Sequence, residues 1–197
     1  MREEIKGLFP TPLYKSILER KLTSKELKFL DSLDLLDNEF NLSSQNSYIL
    51  HEQPLKKLKR EIEIVVNNYF KQIICPADPI IPYITESWYN VTKPNQKHHR
   101  HKHPNSIVSG VFYLTPATIF FHKNLDSVIE IDKKTFNHFN TDTFFENLEP
   151  NEIILFPSDL EHSVKINTNL DSRKSIAFNV FITGTLGTKS KLKKLKI

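Results

Sequence analysis

The chain contains a single cysteine, Cys75. One thiol excludes an intramolecular disulfide framework and any zinc cluster built on cysteines, so a reducing compartment is the natural expectation. Long apolar runs are also missing. No stretch approaches the ~20 residues of a membrane span, and the start, MREEIKGLFPTPLY, has no apolar signal-peptide core. The expectation is a cytosolic protein without a membrane partner. There is no internal repeat, and the only biased stretch is the tail Lys189–Lys196 with its five lysines. No arginine or aromatic residue accompanies those lysines to make a specific nucleic-acid surface. The tail therefore reads as a solvated, frayed terminus, and nucleic acid is not an expected partner.

What is present suits a folded domain. A length of 197 residues fits one domain, expected over residues 1–188, with 189–197 as a basic tail. Thr23-Ser24-Lys25-Glu26 resembles a capping box ahead of Leu27, Leu30, Leu33 and Leu36, whose recurrence predicts a helix. Asn41 to Ser47 reads as a polar loop. Leu55, Leu58, Ile62, Val65, Val66 and Tyr69 predict a second helix from Pro54 to about Ile74. From about residue 80 the pattern changes to short segments rich in β-branched and aromatic residues. The predicted strands are Tyr83–Val91, Ile107–Leu114, Thr118–His122, Val128–Ile131, Glu152–Phe156, His162–Ile166 and Ser175–Ile182. Strands without intervening helices predict a mainly β fold, an antiparallel sandwich or barrel, with the helical N-terminal third packed outside it.

Four of the eight histidines fall in His98-His99-Arg100-His101-Lys102-His103. Period-two alternation sets His101 and His103 on one side of an extended chain, where two imidazoles suit a first-row metal. Downstream, Leu155-Phe156-Pro157-Ser158 leads through a turn to His162, and Arg173 follows in Arg-Lys-Ser-Ile-Ala-Phe-Asn-Val-Phe. As a strand, that segment has an apolar face of Ile176, Phe178, Val180 and Ile182. Its other face carries Arg173, Ser175, Ala177 and Asn179, and a cation there calls for an anionic partner. A guanidinium with a nearby hydroxyl matches a carboxylate through charge-assisted hydrogen bonds. An ordinary ion pair between Arg173 and Asp171 is the competing reading.

The order H-x-H, a strand, Phe156-Pro157-Ser158 with His162 and Val164, then Arg173-x-Ser175 resembles the 2-oxoglutarate/Fe(II) oxygenases. More narrowly, the chain is similar to a subfamily of such oxygenases met in marine phages and bacteria. The narrower match is carried by Leu8–Leu13, Trp88–Val91, His101–Ser106 and Ser109–Leu114 together with the two downstream segments. The resemblance implies a double-stranded β-helix (jelly-roll) core, Fe(II), 2-oxoglutarate and dioxygen, with succinate and carbon dioxide released. It also implies a cytoplasmic dioxygenase, in the host cytoplasm if phage-encoded, that hydroxylates a protein side chain or a small molecule. His101 and His162 match the metal histidines. Arg173 matches the residue that pairs with the far carboxylate of 2-oxoglutarate, and Ser175 the hydroxyl beside it. Tyr113 and Asn90 are expected helpers on neighbouring strands.

One slot departs from the family. Where the oxygenases have an acid two residues after the first histidine, this chain has His103. His103 is itself the expected third ligand; water, or a carboxylate such as Glu86 from an adjacent strand, also satisfies the pattern. A register using His99 and His101 is compatible too. Two further function classes share these residues: a three-histidine cupin dioxygenase without 2-oxoglutarate, and a non-catalytic jelly-roll binding or structural module. Trp88 and Phe112 are candidate pocket walls, Lys123–Glu149 a candidate lid or covering flap, and a homodimer is compatible with the whole.

Overall fold

The computed structural model describes residues 2–123, 131–187 and 195–197. Its strands are β1 (Tyr14–Ile17), β2 (Leu35–Asp37), β3 (Leu42–Ser44), β4 (Ile80–Thr92), β5 (His98–His101), β6 (Val108–Tyr113), β7 (Ala117–His122), β8 (Thr143–Leu148), β9 (Glu152–Pro157), β10 (Glu161–Val164), β11 (Arg173–Leu186) and β12 (Leu195–Lys196). The larger sheet runs β1-β9-β6-β11-β4-β3-β2, with β12 added to β11, and the smaller runs β5-β10-β7-β8. The ladders within both sheets are antiparallel. From β4 to β11 the chain passes repeatedly between the two sheets, which is the jelly-roll arrangement.

Two cores follow from the strand alternation. The outer face of the larger sheet (Ile84, Tyr89, Phe112, Leu155, Ile176, Phe178, Val180 and Ile182) packs against Leu58, Ile62, Val65, Val66 and Tyr69 of helix α2 (Lys56–Tyr69). The expected apolar face of β11 is thus the face that meets the helices. Between the sheets lies a smaller core of Tyr113, Ile119, Phe121, Leu148, Ile154 and Phe156. At the centre of the larger sheet, a Cβ on Gly110 would meet Phe178 at 2.3 Å and Leu155 at 2.6 Å, so bulk alone demands glycine there.

Helix α1 (Ser24–Asp31) has the expected capping box: Thr23 Oγ1 accepts from Glu26 N, and the Glu26 carboxylate accepts from Thr23 N at 2.7 Å. It ends earlier than its leucines suggested, and Leu36 falls in β2, exposed. Steps of three residues drift by about 60° each around a 3.6-residue turn, so Leu27 and Leu36 never shared a face. The predicted polar loop at Asn41–Ser47 instead contains β3, which pairs with the edge of β4 through Leu42–Val91 and Ser43–Asn90. Main-chain bonding makes that strand, which is why its polar composition hid it.

In the predicted lid, Thr143–Leu148 is the edge strand β8, and Phe136, Phe139 and Phe145 stay exposed, so no flap buries those rings. The expected strand Val128–Ile131 lies largely outside the described residues, and Ile131 itself is in no strand. The end of the expected frayed tail is paired, as β12 and through mutual Gly184 and Ile197 backbone hydrogen bonds. Among the described residues no helix is long and apolar enough to cross a membrane.

Candidate functional site

A narrow cavity opens between the sheets, and both contribute to its lining. The larger sheet supplies rows of side chains fixed by register. Ser175 on β11 pairs with Tyr113 on β6 and Asn90 on β4; Ala177 pairs with Val111 and Trp88; Arg173 pairs with Thr92. Directly paired residues in neighbouring strands share a face, so these eight project together into the cavity. The smaller sheet supplies His98, His101, His162 and Val164, with Ile119 from β7. His103 follows β5, its backbone N–H donating to Ser158 O at 2.9 Å.

His101, His103 and His162 each bring a ring nitrogen to within 4.8 Å of the others. His101 sits opposite His162 in the β5–β10 ladder, with ring centroids 4.2 Å apart. Two of the rings have their orientation fixed. Nδ1 of His101 lies 2.8 Å from His99 O, and Nδ1 of His162 lies 3.0 Å from Leu160 O. A carbonyl only accepts, so each Nδ1 carries the proton and each Nε2 keeps its lone pair. Burial, with the neighbouring imidazoles adding to it, lowers His162 to about 2 and His103 to about 4. Burial also lowers His101. All three are therefore neutral near pH 7, as metal ligation requires, and imidazole nitrogen suits a divalent first-row ion. Trp88 packs beside His103 at 5.6 Å and Phe156 beside His162 at 4.7 Å, giving that end apolar walls.

At the other end stands Arg173. Its guanidinium donates to Lys165 O from Nη1 and Nη2 at 3.3 and 3.2 Å, and among the described residues it forms no ion pair, with Asp171 or any other acid. Burial presses its pKa down, opposed by the Tyr113 phenol. Tyr113 is itself pushed up by burial. Among the described residues no carboxylate lines the cavity. Glu86, expected as an alternative ligand, is exposed and accepts from Asn179 Nδ2 at 3.3 Å, outside the histidine group. Phe112 is a core residue on the opposite face of its strand, not a wall of this cavity.

Among the lining residues that were not foreseen, two stand out. His98 reaches the cavity because β5 holds a surplus residue: His101 pairs with His162 and His98 with Val164, three steps against two, so the ladder bulges. Strict alternation would send His98 to the other face, so no sequence signal marked it. Asn41, 1% exposed just before β3, donates from Nδ2 to Asn90 Oδ1 at 3.3 Å, while its own Oδ1 has no partner. A buried orphan acceptor costs about 1–3 kcal/mol unless a donor meets it.

Residues 86–179, which hold all of this lining except Asn41, match the family described as "Putative 2OG-Fe(II) oxygenase". Over that segment the chain matches the 2OG-Fe(II) oxygenase family. It is therefore an oxidoreductase whose cofactors are those of the family, Fe(II) and 2-oxoglutarate, with dioxygen as oxidant. Solved structures of similar fold agree on the architecture. HygX from Streptomyces hygroscopicus, with nickel, 2-oxoglutarate and hygromycin B bound, is 10% identical with a TM-score of 0.58, over 86% of this chain and 82% of that one. A 2OG-Fe(II) oxygenase family oxidoreductase from Burkholderia pseudomallei is 9% identical with a TM-score of 0.56, over 78% and 74%. The non-haem alpha-ketoglutarate-dependent epimerase SnoN of nogalamycin biosynthesis is 9% identical with a TM-score of 0.56, over 80% and 71%. At such identities the likeness speaks for the oxygenase fold alone. No curated protein matches the chain.

Proposed function

We propose that this oxygenase is a hydroxylase in which His101, His103 and His162 hold Fe(II), while Arg173, Ser175, Tyr113 and Asn90 hold 2-oxoglutarate. The observation that carries the reading is Arg173, a half-buried cation paired with no acid among the described residues, facing the same cavity as three neutral imidazoles. A dianionic ligand answers both ends at once. The metal, when bound, supplies the redox chemistry that couples decarboxylation of 2-oxoglutarate to insertion of oxygen into a C–H bond.

The chain's own residues bind and orient. Arg173 offers two donors to the far carboxylate, and the hydroxyls of Ser175 and Tyr113 stand in the next row toward the histidines. Asn90 is steadied from behind by Ser43 Oγ, which donates to its Oδ1 at 3.0 Å. Trp88, Val111, Ala177 and Ile119 keep the middle of the cavity apolar, which strengthens polar contacts at its ends. Three neutral imidazoles leave the ion its full double positive charge, one unit more than a set with one carboxylate. That surplus matches the two negative charges of 2-oxoglutarate.

The test is purified protein with Fe(II), 2-oxoglutarate and dioxygen. Succinate formation that falls sharply in Arg173→Ala supports the proposal. Metal binding with no affinity for 2-oxoglutarate defeats it and favours a three-histidine dioxygenase, a reading kept alive by the all-nitrogen donor set. A screen of peptides and small molecules for products heavier by one oxygen then addresses hydroxylation itself.

A further inference from the structure

The bulge in β5 creates a second group of three histidines. His98, His99 and His101 also bring ring nitrogens to within 4.8 Å of one another, the same bound that describes His101, His103 and His162. His98 and His101 have ring centroids 4.4 Å apart, and His99 lies 5.0 Å from His101 and 5.3 Å from His98. Their settings differ. His99 is exposed and packed against Phe40 at 4.5 Å, whereas His162 is 4% exposed between the sheets. His101 belongs to both groups, and with its Nδ1 bound to His99 O it has one free nitrogen to give. The two groups can therefore be complete only one at a time.

We propose that His98, His99 and His101 form a solvent-side acceptance position for a divalent first-row ion on its way to the buried site. This rests on reading His101, His103 and His162 as the resident metal site. An ion captured at His99 and His98 exchanges those nitrogens for His103 and His162 while His101 Nε2 stays attached as the pivot. The transfer is ligand exchange alone. The ion keeps its oxidation state, and each imidazole remains neutral with its lone pair on the metal-facing nitrogen. Exchanging waters for imidazoles in two stages avoids dehydrating the ion fully before it enters a cavity that no carboxylate lines among the described residues.

Cobalt(II) is the probe, followed by its visible absorption at neutral pH. Wild type is expected to bind one equivalent. The His103→Ala/His162→Ala double variant is expected still to bind one, weaker by about 10- to 100-fold, and adding His99→Ala abolishes that binding. In a stopped-flow experiment His99→Ala alone slows Co(II) uptake about tenfold while still reaching one equivalent. A double variant that is folded by circular dichroism yet takes no Co(II) overturns the proposal, as does His99→Ala loading at the wild-type rate. The second measurement decides the matter if the double variant does not fold. Wild type that binds no Co(II) overturns the resident-site reading itself, an outcome separate from the other two.

Discussion

The two walls of the cavity are built on different rules. On the larger sheet, β6, β11 and β4 keep one register from Arg173 to Phe178, short of the shift between β11 and β4 before Val180, and their lining residues fall into straight rows two apart along β11. On the smaller sheet, β5 gains a residue on β10, and the histidines cluster at spacings regular pleating does not allow. The regular wall offers one arrangement, suited to gripping an elongated ligand along its length. The bulged wall offers two overlapping donor sets around a shared imidazole. Regularity gives a ruler, and irregularity gives a choice.

The comparison is broken most completely at His162, the most buried of the three proposed ligands. His162→Ala is expected to abolish tight metal retention at the buried group, leaving only the weaker binding of His98, His99 and His101, and to lower succinate formation on the order of 10³-fold, about 4 kcal/mol at the transition state. On the regular wall, Arg173→Ala is expected to raise the KM for 2-oxoglutarate on the order of 10²-fold, with Arg173→Lys in between and metal affinity unchanged. Metal and co-substrate titrations on both variants check that the walls separate these roles. His103→Asp sharpens the comparison by restoring an acid. It should keep the metal but weaken 2-oxoglutarate roughly tenfold, because the ion's net charge falls by one.

A smaller effect comes from acid. His98, His103 and His162 sit near 3, 4 and 2, all below the ordinary value of 6.5, chiefly through burial. Below pH 6.5 the unfolded chain takes up protons that the fold refuses. Metal-free protein is therefore expected to hold its full stability above pH 6.5 and to lose it progressively as pH falls toward 4. A Tm profile that stays flat over that window contradicts these shifts. The smallest effect lies far from the cavity: Thr23→Ala at the start of α1 should cost about 1 kcal/mol and leave both titrations untouched.

The same contrast explains what could be read without coordinates. Arg173, Ser175, Tyr113 and Asn90 were legible because period-two alternation holds along β11 and its partners from Arg173 to Phe178, so facing could be counted from the sequence. His101, His103 and His162 were legible as residue types in a familiar order. His98 was not, because a bulge is a property of two strands together and leaves no mark in either alone. Asn41 was missed for another reason. It sits beside a strand made of Leu42, Ser43 and Ser44, which exists only because β4 offers an edge to pair with. The early end of α1 belongs to the same class, since counting leucines every third residue does not test whether they share a face.

Gly110 gives the molecule an internal control. The space its missing side chain leaves belongs to Phe178 and Leu155, on the face turned toward α2 and away from the histidines. Forcing a methyl group there costs about 1–3 kcal/mol, yet the strain is delivered behind the wall that carries Val111 and Tyr113. Gly110→Ala is thus a calibrant, weakening the scaffold while the chemistry in front of it stays intact. Any variant of the cavity can be scored against it to tell a damaged site from a loosened fold.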